Sequence, residues 1–234
     1  MPASGRPGTT ERVFGDRREA GRVLAGHLSR YRSDATAVVL GLPRGGVPVA
    51  YEVANAIGAP LDVFVVRKLG VPGQEELAMG AIASGGVIVL NDDIVQSLRI
   101  PADVIRRVAQ LEERELTRQE HRYRAERPTL ELRGRTSILV DDGLATGATM
   151  LAAIQALRQL APARIVVAVP VAPPSTCREL QGVADEVICA TTREPFRAVG
   201  LAYRDFAQTS DEEVSELLSS ATASARNSDR IDLG

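Results

Sequence analysis

One run constrains this chain more than any other. Ile138-Leu139-Val140 is a short aliphatic stretch, followed at once by Asp141-Asp142-Gly143 and then by Ala145-Thr146-Gly147-Ala148-Thr149-Met150. A brief apolar run ended by polar and glycine residues reads as a strand buried in a parallel sheet. Ala148 to Leu160 then reads as a helix, so the sequence predicts strand, tight turn and helix in succession, the unit of an α/β fold. Asp141 and Asp142 fall at the carboxyl end of the strand, where open α/β sheets collect their ligands.

The chemistry expected at that corner is narrow. Glycines allow backbone N–H groups to turn toward an anion, Thr146 and Thr149 add hydroxyl donors, and the positive end of the helix faces the same point. Two carboxylates cannot bind a phosphate. They can accept hydrogen bonds from vicinal ribose hydroxyls and help hold a hard cation such as Mg²⁺. A phosphorylated ribose satisfies both halves. Asp-Asp-Gly alone would read better as a turn and N-cap, and it is the whole run that argues for binding.

With its two acids and the following TGxT, the run resembles the phosphoribosyl pyrophosphate (PRPP) motif of type I phosphoribosyltransferases. The resemblance implies an α/β domain with a mostly parallel central sheet flanked by helices and a small hood. It implies that Asp141 and Asp142 contact the ribose hydroxyls and bear on Mg²⁺, directly or through those hydroxyls or water. Ala145, Thr146, Gly147, Ala148 and Thr149 would wrap the 5′-phosphate.

A second anion site is expected upstream, where the apolar run Ala37 to Leu40 leads into Gly41-Leu42-Pro43-Arg44-Gly45-Gly46-Val47-Pro48. Arginine offers a planar fork of donors, the glycine pair permits close approach of backbone amides, and Pro48 suits the first turn of a helix. Alone, the segment is a glycine-rich turn with a solvated arginine. Beside the first motif it resembles the family's pyrophosphate loop, with Arg44, Gly45 and Gly46 as contacts. Leu61 to Val66 reads as another buried strand, followed by Arg67-Lys68. These are either an ordinary solvated strand end or, as the resemblance implies, pyrophosphate contacts that stabilise charge on the leaving group. Leu69 to Gly80 is then expected to be a mobile loop closing over the site.

The remaining segments are placed around these sites. Residues 1–14 begin rich in Gly, Pro, Ser and Thr and are expected to be a disordered tail. Residues 15–218 are expected to form one phosphoribosyltransferase-like domain including the hood, and the polar 219–234 a second disordered tail. Asp16 to Tyr31 carries Ala20, Val23, Leu24, Leu28 and Tyr31 at helical spacing. Gly85-Gly86 before Val87 to Leu90 suggests a hairpin. Pro101 to Arg127 reads as one long charged helix with a thin stripe at Val104, Val108 and Leu111, continued by Glu115 or Leu116, either solvated and laced with i,i+4 pairs or a dimerisation arm. Arg164 to Val171, Pro174 to Leu180 and Glu186 to Ala190 continue the strand and helix alternation. Pro195, Phe196, Tyr203 and Phe206 gather aromatics in a chain with only 3% of them, so Tyr203 or Phe206 either stacks on a base under the hood or packs the hood onto the sheet. Asp211 to Leu218 reads as a short helix capped by Ser210.

A formal net charge of −2 gives no long-range attraction to nucleic acid or membrane, and no apolar run reaches spanning length. The interleaved glutamates of 101–127 also count against nucleic-acid binding by its arginines. A cytoplasmic location is expected. Cys177 and Cys189 show neither paired nor metal-ligand spacing, so no disulfide or zinc site is expected. The resemblance implies Mg²⁺-dependent transfer of a phosphoribosyl group from PRPP to a nitrogen nucleophile, a nucleobase first among the candidates, in nucleotide salvage. Arg44, Lys68, Asp141 and Asp142 would be catalytic, the partners would be PRPP and a small-molecule acceptor, and a homodimer is a further expectation. A non-catalytic PRPP sensor on the same fold is the rival reading. Ala145 stands where many 6-oxopurine enzymes of the family carry a third acid, which counts against hypoxanthine or guanine.

Overall fold

The computed structural model describes residues 12–125 and 127–231. Its elements in chain order are α1 (Arg17–His27), β1 (Ala37–Gly41), α2 (Gly46–Ile57), β2 (Leu61–Val63), β3 (Val66–Val71), β4 (Gln74–Ala83), β5 (Val87–Leu90), α3 (Asp92–Ser97), α4 (Ala102–Arg124), β6 (Thr136–Val140), α5 (Ala148–Gln159), β7 (Arg164–Ala172), α6 (Pro174–Leu180), β8 (Glu186–Thr192) and α7 (Asp211–Ile231). Five of the strands form one parallel sheet in the order β2-β1-β6-β7-β8. The chain winds outward from β1 to β2 on one side and from β6 through β7 to β8 on the other. The carboxyl ends of β1 and β6, paired from Ala37 opposite Thr136 to Gly41 opposite Val140, therefore flank the point where the winding reverses.

Alternation along the central strands divides the core in two. Val39, Ile138, Val140, Val166 and Ala168 face Leu24, Leu28, Val49, Val53, Val214 and Leu218 of α1, α2 and α7. Val38, Leu40, Leu139, Val167 and Val169 face Met150, Ile154, Leu157 and Leu180 of α5 and α6. Burial on both faces is why these strands are continuous aliphatic runs.

Several segments depart from the expectations. The strand foreseen over Leu61 to Val66 is split, with β2 ending at Val63 and β3 starting at Val66. The loop expected over Leu69 to Gly80 is instead most of an antiparallel hairpin, β3 with β4, in a second sheet completed by β5. Leu69 and Met79 are fully buried, so this hairpin has an apolar face that a free loop would expose. The α4 helix forms, but its buried side is Ala109, Leu116 and Tyr123, spaced about two turns apart, while Leu111 is 60% exposed. Phe14 is fully buried rather than part of a tail, packed with Ala20, Val171, Ala202 and Tyr203 in a small separate cluster that forms the hood with residues 196–209, and residues 1–11 lie outside the described ones. Ser210 accepts from the Glu213 amide as foreseen, and α7 runs on to Ile231 through most of the expected C-terminal tail, with Leu217, Leu218 and Ala221 buried. Cys177 and Cys189 form a disulfide, because the twelve-residue path from α6 to β8 returns beside its start and leaves the two Cα atoms 6.8 Å apart. Among the described residues no helix is long and apolar enough to cross a membrane.

Candidate active site

Two loops meet at the winding reversal. The loop after β1 presses its glycines against the acids after β6. A Cβ on Gly46 would lie 2.6 Å from the Val140 carbonyl oxygen, and one on Gly45 would lie 2.1 Å from Asp142 Oδ2. Any side chain at either position must displace the acid loop. The Pro43 to Arg44 peptide is cis. The expected pyrophosphate loop and the expected ribose acids are thus one packed unit.

The acid pair is partly buried and internally bonded: the Asp142 amide donates to Asp141 Oδ1 at 2.8 Å. Burial pushes the Asp141 carboxyl well above the usual range, and the neighbouring Asp142 charge adds to the rise. Burial also pushes Asp142 up, against the opposing pull of Arg17. Arg17 Nε donates to Asp142 Oδ2 at 2.8 Å, and Tyr203 Oη donates to the Asp142 carbonyl.

The loop after Asp142 opens α5. Gly147 sits at φ 74° and supplies no side-chain cap; the Ala148 amide reaches only the Thr146 hydroxyl, at a long 3.5 Å, at the open start of the helix. Ala145, Thr146, Ala148 and Thr149 are exposed around that mouth. Thr176 supports it from α6, donating through Oγ1 to the Ala145 carbonyl at 2.8 Å and leaving no room for a Cβ on Gly147, which would lie 2.8 Å from Thr176 Cγ2.

The basic residues divide. Arg44 lies at the tip of the β1 loop with its Nη1 3.7 Å from Asp211 Oδ1, at the start of α7. Asp211 also accepts from Arg122 and from Tyr123 Oη. Burial works to raise the Asp211 carboxyl, but those donors outweigh it and the net shift is downward. Arg67 and Lys68 are on β3, where Arg67 Nε donates to Glu112 of α4 at 2.5 Å and Lys68 Nζ lies 3.3 Å from Glu76 across the hairpin. Their hydrogen bonds are with those acids and not with Asp141, Asp142 or Arg44.

The aromatic hood packs against itself. Tyr203 lies between Phe14, with ring centroids 5.6 Å apart, and Phe206, at 5.0 Å. Phe206 is covered in turn by the Arg17 guanidinium, 3.9 Å from the ring centroid. Tyr203 is thereby buried in the hood, while Phe206 keeps 38% of its surface exposed. Arg17 and Thr176 were not singled out from sequence. Asp16 caps α1 by accepting from the Glu19 amide, which could have fixed the start of α1 at Arg17. Nothing local connects Arg17 to an acid 125 positions away.

A sequence profile of the phosphoribosyl transferase domain matches residues 17–204. The chain belongs to the phosphoribosyltransferase family. It is 50% identical over 210 residues to the proteins Rv0571c and MT0597 from two strains of Mycobacterium tuberculosis, both provisionally named phosphoribosyl transferases. The match covers 90% of this chain and 47% of each relative, so the chain spans about half the length of the curated relatives it matches. The crystal structure of TT1426 from Thermus thermophilus is 44% identical and superimposes with a TM-score of 0.78 over 88% of this chain and 97% of that one. The phosphoribosyltransferase match begins at Arg17 and ends at Arg204, so Asp211 and α7 lie beyond it.

Proposed function

We propose that this phosphoribosyltransferase binds PRPP with Mg²⁺ and transfers its phosphoribosyl group to a nitrogen nucleophile, releasing pyrophosphate. The observation that carries this reading is the packing of Gly45 and Gly46 onto Asp142 and Asp141, which holds one anion cradle beside the carboxylates while the start of α5 offers a second. A ribose phosphorylated at one end and pyrophosphorylated at the other fits a pair of carboxylates between two anion cradles. The 5′-phosphate would take the amides and hydroxyls of 145–149. The pyrophosphate would take the Gly45 and Gly46 amides and Arg44.

Among the described residues no cluster of three or more His, Cys, Asp or Glu side chains forms a complete metal cage. The adjacent carboxylates fit Mg²⁺ as a partial ligand set that substrate oxygens and water complete. Bound there, Mg²⁺ would supply positive charge to the pyrophosphate oxygens. The chain's own part is positioning and charge. As the anomeric C–O bond lengthens, the ribose becomes cation-like near two carboxylates, and Arg44 and the glycine amides face the growing charge on the leaving group. Lys68, half-exposed and 3.3 Å from the fully exposed Glu76, would be free to turn toward the leaving group as a further positive charge.

Nucleobases are the first acceptors to test, salvage the first metabolic context, and the cytoplasm the setting that goes with this reading. The experiment follows pyrophosphate release from PRPP and Mg²⁺ across a panel of nucleobases and other nitrogen nucleophiles, beside a control without acceptor. Acceptor-dependent release is expected. Binding of PRPP with no release above the control would favour a PRPP sensor, a reading to which the engagement of Arg67 by Glu112 lends weight.

A further inference from the structure

Arg17 occupies a position that the transfer reaction alone does not explain. It is the first residue of α1, held in place by the Asp16 cap and by Glu19 Oε2, which accepts from the Gly15 amide at 2.7 Å. From there its guanidinium enters the junction of the three parts of the site. Nε bonds Asp142, Nη1 donates to the Ala207 carbonyl at 2.6 Å, and the plane covers Phe206. The Nε atom also lies 3.2 Å from where a Cβ of Gly45 would be, so the group is wedged against the pyrophosphate loop. Only 12% of the Arg17 side chain and 13% of the Asp142 side chain are exposed.

This arrangement conflicts with substrate loading. Asp142 Oδ2, the oxygen nearest the glycine loop, is needed for a ribose hydroxyl or a cation, and a guanidinium already holds it. A cation brought to the same oxygen would stand close to the guanidinium and be repelled by it, which favours Arg17 giving up that contact as the cation arrives. When Arg17 leaves Asp142, the fork that grips Ala207 and the plane that covers Phe206 shift with it. The hood segment 204–209 is also held by the Arg204 amide on the Phe14 carbonyl, the Asp205 amide on the Gly15 carbonyl, the Ala207 amide on Asp205 Oδ1, the stacking of Phe206 on Tyr203 and the burial of Thr209. Releasing Arg17 removes the side-chain bond that ties this strip to the acid pair.

We propose that Arg17 is a positioning residue that latches the hood onto Asp142 in the empty site and yields Asp142 when Mg²⁺ and PRPP bind, loosening residues 204–209 over the place where an acceptor enters. The latch rests on the PRPP reading of the site. It adds that loading the donor prepares the acceptor side, through one side chain.

Hydrogen–deuterium exchange on the full chain, with and without Mg²⁺ and PRPP, tests both readings separately. Binding slows exchange at 145–149, and the latch predicts that exchange at 204–209 accelerates several-fold in the same sample. In Arg17→Gln, residues 204–209 exchange fast from the start and PRPP changes them little, while β6 and β7 stay protected as a check that the fold is intact. Arg17→Lys, which keeps the charge but loses the fork, falls between the two. Slower or unchanged exchange at 204–209 in the wild-type protein, with 145–149 protected, overturns the latch and leaves the PRPP reading standing. An Arg17→Gln hood as slow as that of wild type also overturns it. No protection at 145–149 sinks the PRPP reading, and the latch with it. The wild-type comparison alone decides if the variant does not fold.

Discussion

Single residues carry the strongest consequences where two loops touch. Gly45 has no alternative, since the nearest atom to an added Cβ is the carboxylate oxygen of Asp142 at 2.1 Å. Gly45→Ala is expected to destabilise by about 1–3 kcal/mol through overpacking and to weaken PRPP binding at least tenfold; calorimetric titration showing wild-type affinity would break the link between the loops. Asp141 works the other way. Burial raises its carboxyl in the folded protein, so below the ordinary carboxylate range both folded and unfolded chains hold the proton and burial costs nothing. As pH rises through the raised value the folded state loses stability relative to the unfolded one. Asp141→Asn removes that penalty while keeping an acceptor for the Asp142 amide. Its melting temperature should exceed wild type at pH 7, converge with it in acid, and come with lost Mg²⁺-dependent PRPP binding. Equal melting curves at both pH values would mean that the carboxylate is well solvated. The acids, glycines and threonines of the site were legible because their chemistry is local to two short runs. Arg17 and Thr176 were not, because each matters only through a partner brought near by the fold.

At the level of elements, the hairpin and the long helix separate what periodicity reveals from what it hides. Residues 69–80 contain glycines, a proline and paired glutamates, a composition that suggests a loop. Yet Leu69 and Met79 are both fully buried, and Leu69 is paired opposite Gly80. A few apolar residues suffice for a strand pair when a helix lies across them, and that helix, α4, is remote in sequence. The α4 stripe holds at Val108 and Leu116 and fails at Leu111: Leu116 is 2% exposed and Val108 packs on the core, whereas Leu111 points outward. Charged neighbours on every side leave the direction of such a helix open until it docks. Leu116→Ala and Leu69→Ala should each cost about 2–5 kcal/mol in urea unfolding, whereas Leu111→Ala should stay within about 0.5 kcal/mol. A negligible cost at Leu69 would restore the mobile loop.

For the whole molecule, the sheet order is the fact from which the site follows. Strand and helix alternation in the sequence foretold a parallel sheet, but not that β1 and β6 would be neighbours, because their pairing spans about a hundred residues and a second sheet. That neighbourhood places the Arg44 loop and the 145–149 loop on the two sides of the acid pair, carried by different strands and different helices. On the proposed function each loop would bind its own anion without the other, and PRPP would gain from both because its ribose makes the second contact intramolecular. Arg44→Ala should then weaken inorganic pyrophosphate by about tenfold, the worth of one charge-assisted hydrogen bond of roughly 1.5 kcal/mol, and leave ribose 5-phosphate within about twofold of wild type. PRPP should lose the same factor as pyrophosphate, since only one end of it has changed. Titrations of the three ligands against both proteins measure this directly. Equal losses for pyrophosphate and ribose 5-phosphate would show that Arg44 acts on the shared acid pair rather than on one anchor, and that the two cradles are not independent.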